Sequence, residues 1–523
     1  MSRQLRPRRS LRLHASNDAS RAPITWPSVF AARSSGWPAA LAFAAAWAIL
    51  PALPALLRGE LIGSPFTDLY PSVWGLAWFA NQQPGLPTFT AALGTPAGMP
   101  FYFSSPLHGW AGTPAVWMGG AAFAHNLTLL AARFATVAVS FGCFRAGGLG
   151  VAGAIAAAGV YGASPYFQGY AVEGIVEGTD GWALPLWVWL VLRKERLGSI
   201  AAFALIVISS WYLGMVACLL AAAWGLRERL AWISLGAGLV LASPFLALFV
   251  GGFSAAAPLP DAVRAAMGMP IDLVVPGVFP GLNPFAITTW IGVSTLVLAG
   301  LAGRARPGFV LVALLCAILS LGRGPWYDLP VLEAVRFPYR WHAGTLFCLA
   351  PLVGFAVDRI GKPWLALLPL FEGLFLSRVE PLLPGSPADV PPIYDQVRGD
   401  VLLEVPGPVS MPPGEINRSR PRARYLLYYQ AHHGAASPWA PDFNGVAATL
   451  PAPWLATFAS WDPLMKAERT APDLVGAAAA GVTQIMVHRD ELDGNAEAFE
   501  HALREAGAVE ESRDGETVLF RMP

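Results

Sequence analysis

The chain carries little charge and few cysteines. Charged residues make up 13% of its 523 positions, whereas soluble domains carry about 25%. The formal net charge is +1, so no strongly basic surface indicates nucleic-acid binding. The four cysteines lie far apart inside apolar runs, and no Cys-x-x-Cys or Cys/His spacing occurs. These absences argue against a disulfide framework and against a zinc site.

Familiar catalytic loops and internal repeats are also missing. Neither a Gly-x-Ser-x-Gly elbow nor a Walker-type phosphate loop appears, and no solenoid or propeller period is present. The chain is instead 55% hydrophobic, with a mean hydropathy of +0.48. Its basic residues are nearly all Arg, and Ala and Gly are abundant, which indicates a GC-rich bacterial genome.

Long apolar runs predict a mainly α-helical, polytopic membrane bundle of about 11 spans. We expect residues 1–36 to be a disordered cytoplasmic N-terminus and residues 37–377 to form the membrane domain. Because residues 198–225 have basic flanks at both ends, we expect a helical hairpin there, with its outer tip at 209–212. The other expected spans are 37–57, 126–144, 149–165, 182–192, 230–252, 286–303, 307–322, 340–357 and 363–377.

The composition becomes that of a soluble protein from about residue 378. Residues 401–405, 485–488 and 517–520 are short β-like runs, and residues 496–506 have helical periodicity. Strands separated by a helix predict a small α/β domain over residues 378–523. The flanking charges place the N-terminus inside and this domain outside, in the periplasm or beyond. We therefore expect a multi-pass protein of the bacterial inner membrane.

In the first external segment, residues 63–82 carry one carboxylate, Asp68, and no other charged side chain. The residues after it, 69–82, have apolar side chains at helical spacing, with Tyr70, Trp74 and Trp78 among them. This pattern predicts a helix lying in the membrane–water interface. An acid at that surface is suited to chemistry, but Asp is also a favoured N-cap. Asp68 is thus either a catalytic group or a helix cap.

Three more carboxylates occur in the external segment that follows the third span. Glu173, Glu177 and Asp180 are spaced by four and then three residues, which puts them on one face if the segment is helical. Three such groups can hold a divalent cation, such as Mg²⁺ or Mn²⁺. The other interpretation is a solvated acidic loop, because three glycines in the same stretch oppose a helix.

A basic cluster precedes the penultimate span. Pro338 fits the first turn of a helix, which would place Arg340 and His342 at the outer mouth of that span, with Arg336 just before it. Guanidinium groups bind phosphate in a bidentate manner, so the cluster is a candidate phosphate site. Alternatively, Glu333 or lipid headgroups satisfy these charges.

Several short segments of the chain, taken in their order along the sequence, resemble those of a known protein family. The chain is similar to bacterial integral membrane glycosyltransferases of the GT-C fold, particularly the uncharacterised branch related to mannosyl- and arabinosyltransferase-like proteins. The likeness covers most of residues 37–523 and depends on the order of the segments. The matching segments are residues 66–70, 124–129, 161–166, 209–214, 336–340, 392–394 and 402–406.

The resemblance implies a transferase that takes a sugar from a polyprenyl-phosphate donor and passes it to an envelope glycan, lipid or protein. In such enzymes an acid of the first external loop is the general base or a metal ligand, and Asp68 holds that position. The donor phosphate would lie near Arg336 and Arg340. Many members carry a pair of acids in this loop, whereas Asp68 has no immediate acidic neighbour, and Glu60 lies eight residues earlier.

A non-catalytic role is the alternative. The chain could be a membrane transporter or flippase, or an assembly component of envelope polysaccharide synthesis. A transporter places ionisable groups in mid-span. Here the spans contain little charge apart from Arg133 and Glu372, and most charges lie at span ends, which favours surface chemistry.

Overall fold

The structure, a computed structural model, describes most of the chain beyond its N-terminal segment. The described residues are 36–65, 68–82, 89–100, 106–225, 228–253, 270–274, 288–303, 306–329, 332, 335, 337–377, 379–405, 422–438, 473–492 and 496–523. The expected N-terminal region, apart from residue 36, lies outside these ranges. Arg336 of the basic cluster also lies outside them.

Helices dominate the chain as far as residue 376. A segment buried in lipid must pair its own backbone groups, which apolar helices do internally. The helices are α1 (Trp37–Ile49), α2 (Leu53–Leu57), α3 (Leu69–Ala80), α4 (Pro106–Ala146), α5 (Val151–Gly162), α6 (Pro165–Val172), α7 (Ala183–Leu192), α8 (Arg196–Ser209), α9 (Trp211–Gly225), α10 (Arg229–Phe253), α11 (Val293–Gly303), α12 (Pro307–Ser320), α13 (His342–Ile360) and α14 (Leu367–Leu376).

Among the described residues, four helical segments are long and apolar enough to cross a membrane. They are Trp37–Leu57, Pro106–Ala146, Arg229–Ala247 and Pro338–Ile360, and six shorter apolar helices of 10–17 residues accompany them. A mainly helical membrane protein is thereby confirmed, whereas the count of about 11 spans remains a prediction. The expected hairpin corresponds to α8 and α9, which meet at Ser210.

Two carboxylates in the bundle bind the N-terminal ends of other helices. Glu372 of α14 accepts hydrogen bonds from the backbone N–H groups of Val293 (2.7 Å) and Ser294 (2.8 Å) at the start of α11. Asp358 of α13 accepts them from Gly150 (2.6 Å) and Gly153 (3.0 Å) at the start of α5. The first N–H groups of a helix lack intrahelical partners, and the helix dipole favours a negative charge there.

The buried Arg133 of α4 also has a packing role. Its Nη2 atom donates to the carbonyl of Trp47 and to Oε1 of Gln168, both at 2.9 Å. Gln168 in turn donates from Nε2 to the carbonyl of Glu380 at 2.9 Å. Arg133 therefore joins α1, α4 and α6 to the segment that follows α14. The two ionisable groups noted inside spans, Arg133 and Glu372, thus both bind elements of the fold.

The C-terminal part contains a four-stranded sheet with its own apolar core. Its strand order is β5–β6–β8–β7, with β5 and β6 parallel and the other pairs antiparallel. Three strands and one helix match the sequence prediction. The elements are β5 (Leu402–Val405), α15 (Arg422–His433), α16 (Leu474–Ala479), β6 (Gln484–His488), α17 (Ala496–Glu505), β7 (Val509–Asp514) and β8 (Thr517–Arg521).

Two short strand pairings and one missed strand complete the description. The hairpin of β2 (Phe89–Thr90) and β3 (Met99–Pro100) precedes α4, and β1 (Leu61–Ile62) pairs with β4 (Gly385–Ser386). The pairing of β1 with β4 fixes the start of the predicted 378–523 domain against the segment that joins α2 to α3. Strand β7 escaped prediction because it is an edge strand of mostly charged, exposed residues.

Helix α3 is covered by protein along its aromatic face. Tyr70, Trp74 and Trp78 are buried, with exposed fractions of 0%, 2% and 6%. The ring of Tyr70 packs on that of Tyr425 in α15, with centroids 4.3 Å apart, and Trp74 Nε1 donates to Gln430 Oε1 at 2.8 Å. The expectation of a lipid-facing interface helix was therefore wrong for these residues. The sequence pattern of an aromatic stripe does not distinguish a helix covered by lipid from one covered by protein.

The Trp74–Gln430 hydrogen bond gives a test of this docking contact. In Trp74→Phe the ring packing remains but the buried Gln430 oxygen loses its donor, which costs about 1–3 kcal/mol of unfolding free energy. We expect a lower thermal midpoint in detergent solution, followed by tryptophan fluorescence. Trp364→Phe is the control, since Trp364 is 58% exposed, and equal midpoints for the two variants would contradict the assignment.

Candidate functional site

The site begins at the segment that joins the first span to α3. Asn126 of α4 accepts the backbone N–H of Ile62 at Oδ1 and donates from Nδ2 to the carbonyl of Glu60, both at 2.9 Å. The buried ring of His125 lies 3.1 Å, at Nε2, from the carbonyl of Ile62. Adjacent polar side chains of α4 therefore hold the backbone that leads to Asp68.

Asp68 stands at the N-cap position of α3 without acting as a side-chain cap. Its backbone has φ −87° and ψ 15°, and its carboxylate makes no capping hydrogen bond to the helix. The side chain is exposed. Of the two interpretations left open by the sequence, the capping one lacks its defining side-chain hydrogen bond.

The start of α3 lies directly against the acidic segment. The N–H of Ser64 donates to the carbonyl of Val172 at 2.7 Å. Gly63 and Gly174 touch through their backbones, and a Cβ atom on Gly63 would lie 2.6 Å from the Cα of Gly174. Both glycines have positive φ (136° and 69°), which L side chains rarely adopt. Leu69, the residue after Asp68, also contacts Gly174.

The three acidic residues do not share one helical face. Helix α6 ends at Val172, Gly174 turns the chain, and residues 176–179 form a single 3₁₀ turn. Glu173 is therefore buried after α6, Glu177 lies half-buried in the turn, and Asp180 is buried after it. The expected single face was wrong because the glycines interrupt the helix that the spacing required.

Asp180 pairs with a histidine that the sequence did not single out. Its Oδ2 atom lies 3.2 Å from Nδ1 of His108, and its Oδ1 atom accepts from Nε1 of Trp182 at 2.9 Å. Within the described ranges, no group of three or more His, Cys, Asp and Glu side chains could hold a metal ion. The donor set of Glu173, Glu177 and Asp180 thus does not fit the Mg²⁺ or Mn²⁺ ion that was one interpretation of this segment.

Arg340 is held by aromatic rings rather than by a close carboxylate. Its guanidinium carbon lies 4.6 Å from the ring centroid of Tyr212, 4.9 Å from Phe337 and 5.7 Å from Tyr170. Its nearest acidic partner is Glu177, at an N···O distance of 4.0 Å. Cation–π contacts of this kind hold a guanidinium without neutralising it, so the partly exposed side chain can still bind an anion.

His342 does not share that exposure. It is fully buried at the start of α13, with its ring centroid 5.7 Å from that of Tyr166 and the backbone of Trp290 beside it. The hydroxyl of Tyr166 donates to the carbonyl of Arg340 at 3.2 Å. The expected pair is therefore split: Arg340 reaches the surface, while His342 packs behind it.

One loop thus joins the separate candidates. Residues 172–180 contact the start of α3 through Gly174 and Arg340 through Glu177. Gly174 and Glu177 are three positions apart in the sequence, so their Cα atoms lie within about 11 Å. Tyr170, Tyr212 and His108 are the residues that sequence reasoning missed. Tyr212 had one signal, its place at the hairpin tip, whereas the others lay in apolar context.

A second buried polar group lies inside the C-terminal sheet. Nε2 of His488 is 2.6 Å from Oε2 of Glu404, and the hydroxyl of Tyr394 donates to the same oxygen at 3.0 Å. The ring of His433 stacks on Tyr394, and burial lowers the pKa of His433 to about 4. These groups are enclosed in the core of the sheet, where they tie strands β5 and β6 to α15.

Comparisons with known proteins concern the fold. A scan against protein-family models matches no family, and a search of curated proteins finds no match. Among solved structures, the arabinofuranosyltransferase AftD from Mycobacteria matches with a TM-score of 0.60 at 16% sequence identity, over 93% of this chain and 40% of that chain. The oligosaccharyltransferase AglB from Archaeoglobus fulgidus, in complex with an inhibitory peptide and a dolichol-phosphate, has a TM-score of 0.49 at 12% identity, over 95% and 75%.

ArnT from Cupriavidus metallidurans, bound to undecaprenyl phosphate, has a TM-score of 0.38 at 13% identity, over 95% of this chain and 99% of that one. Of these three, the AftD likeness is close enough to carry an argument, and at 16% identity it concerns the fold alone. The chain spans 40% of the AftD chain that it matches. At the level of the fold, the resemblance to GT-C membrane glycosyltransferases is confirmed.

Proposed function

We propose that this protein is a membrane glycosyltransferase that moves a sugar from a polyprenyl-phosphate donor to an envelope glycan, lipid or protein. The observation that carries the proposal is the convergence of α3, with Asp68 at its start, and Arg340 on the loop of residues 172–180. The exposed carboxylate of Asp68 and the guanidinium of Arg340, which is surrounded by aromatic rings, then border one surface. Those are the charges that sugar transfer from a phosphate leaving group requires.

The lipid-linked donor presents a sugar joined at C1 to a phosphate oxygen. In the proposed reaction an acceptor hydroxyl attacks C1 and its proton passes to the carboxylate of Asp68. The C1–O bond breaks, and the electron pair leaves with the polyprenyl phosphate, which gains one negative charge. General base catalysis by a positioned carboxylate contributes about 10²–10⁴-fold in rate.

Arg340 stabilises the charge that develops on the leaving phosphate. The rings of Tyr170, Tyr212 and Phe337 fix the guanidinium before the donor arrives, so little reorganisation is needed during the reaction. We place Arg336 at the same phosphate as a sequence-based proposal. His342 serves this site by packing behind Arg340 against Tyr166.

The acidic loop then has a binding role. No step is assigned to a metal ion, because Asp180 is directed to His108 and Trp182, and Glu177 to Arg340. Glu177 retains exposed surface and is suited to hold Arg340 in place and to accept hydrogen bonds from acceptor sugar hydroxyls. Glu173 is buried and supports the turn at Gly174.

The transporter alternative has less support. Arg133 and Glu372, the ionisable groups noted inside the expected spans, both hold elements of the fold together. We propose that the protein lies in the bacterial inner membrane with its N-terminus in the cytoplasm. The site and the C-terminal α/β part would then face the periplasm or the exterior.

Replacement of the proposed base should abolish transfer. In Asp68→Asn we expect kcat to fall by about 10²–10⁴-fold because the amide cannot accept the hydroxyl proton. The protein is reconstituted in vesicles that contain polyprenyl phosphates loaded with labelled hexose or pentose, and label in the acceptor fraction is counted. Asp395→Asn is the control, since Asp395 is an exposed carboxylate remote in sequence and paired with His432. Full activity in Asp68→Asn would remove Asp68 from the mechanism.

Two variants of Arg340 separate the effect of its positive charge from the effect of its bidentate hydrogen bonding. Arg340→Lys keeps the charge but loses bidentate contact, and we expect kcat/KM for the donor to fall by about tenfold to a hundredfold. Arg340→Met removes the charge and should cost about 10²–10³-fold, mainly in kcat. Thermal unfolding of each variant controls for folding. The phosphate role is refuted if folded Arg340→Met transfers sugar at the original rate.

A further inference from the structure

The first part of α4 differs from the rest of that helix. The helix has 41 residues, which at 1.5 Å per residue amounts to about 60 Å, whereas the hydrocarbon core of a bilayer is about 30 Å thick. Gly120, with φ 80° and ψ 175°, interrupts it. The break separates a short arm, residues 106–119, from the part that is long enough to span.

The inner side of the arm packs against the candidate site. A Cβ atom on Gly109 would touch the ring of Phe79, and one on Gly112 would touch Leu76, both in α3. His108, on the same side, pairs with Asp180 of the acidic loop. Through these contacts the arm supports both α3 and the acidic loop.

The outer side of the arm is exposed and apolar. Trp117 and Met118 are 72% and 74% exposed, and Trp110 is 41% exposed. Between them, Ala111 and Pro114 are also exposed. Residues 106–119 contain no Asp, Glu, Lys or Arg. Exposure of an apolar face of this kind to water is unfavourable in free energy, so we expect another surface to cover it.

Two observations place this face beside the candidate spans. The ring of Trp110 lies 5.5 Å from that of Phe245, and Phe245 is near the end of the candidate span Arg229–Ala247. Beyond Gly120 the exposed apolar positions continue with Phe123 and Leu127 on the spanning part of α4. The outer face of the arm is thus continuous with a lipid-facing surface.

We propose that residues 106–119 lie on the bilayer surface and insert Trp117 and Met118 at the boundary between headgroups and acyl chains. The partner is the lipid surface itself. Tryptophan favours this depth, and binding scales with buried apolar area. Because the arm has no basic residue, its contact does not depend on anionic lipid. This inference does not rest on sugar transfer.

Spin labels at three positions measure the contact. The background is full-length Cys218→Ala, in which Cys143, Cys316 and Cys348 are buried. Met118→Cys tests the arm, Val240→Cys in α10 (74% exposed) reports lipid, and Val475→Cys in the C-terminal part (82% exposed) reports water. Collision with oxygen and with a nickel chelate gives the depth of each label in phosphatidylcholine vesicles, with and without phosphatidylglycerol.

We expect the Met118 label to lie about 5–10 Å inside the headgroup boundary, shallower than the Val240 label and at the same depth in both lipid mixtures. Exposure to the nickel chelate equal to that at Val475 overturns the proposal. So does a depth equal to that at Val240, which would make the arm a span. Shielding from both reagents would show protein or a second copy on this face, and would also overturn it.

Discussion

The backbone contact between Gly63 and Gly174 is the constraint on which the candidate site depends. A side chain on either residue would force the two segments apart, since a Cβ on Gly63 would lie 2.6 Å from the Cα of Gly174. Both residues also have positive φ, so glycine is favoured on two independent grounds. Only with this close approach does Leu69, the residue after Asp68, lie against the loop that reaches Arg340.

The aromatic rings around Arg340 hold its guanidinium in a fixed position without neutralising its positive charge. The nearest Arg340 nitrogen is 4.0 Å from Glu177, which is too long for a hydrogen bond. The rings of Tyr212, Phe337 and Tyr170 instead restrict its orientation. A closer carboxylate would have stabilised the side chain and blocked an anion. The arrangement therefore favours a binding role over a purely structural one.

Sequence patterns predicted the parts of the fold that depend on local periodicity. The hairpin of α8 and α9 and strands β5, β6 and β8 follow from apolar runs. Contacts between distant segments could not be read in this way. Nothing in the sequence around Trp74 indicates that α15, more than three hundred residues later, packs against this face of α3. The spacing of Glu173 and Asp180 suggested one face, but the turn at Gly174 directs them apart.

The C-terminal sheet, α15, α3 and residues 106–119 pack on one another in that order. The C-terminal sheet holds α15 through Tyr394 and its stacked neighbour His433, and α15 covers α3. On its other side α3 packs on residues 106–119, whose exposed face is apolar. Asp68 begins the middle layer, so folded protein packs on both sides of the helix that it starts. The C-terminal sheet and residues 106–119 therefore both support the position of this carboxylate, although they lie on opposite sides of α3.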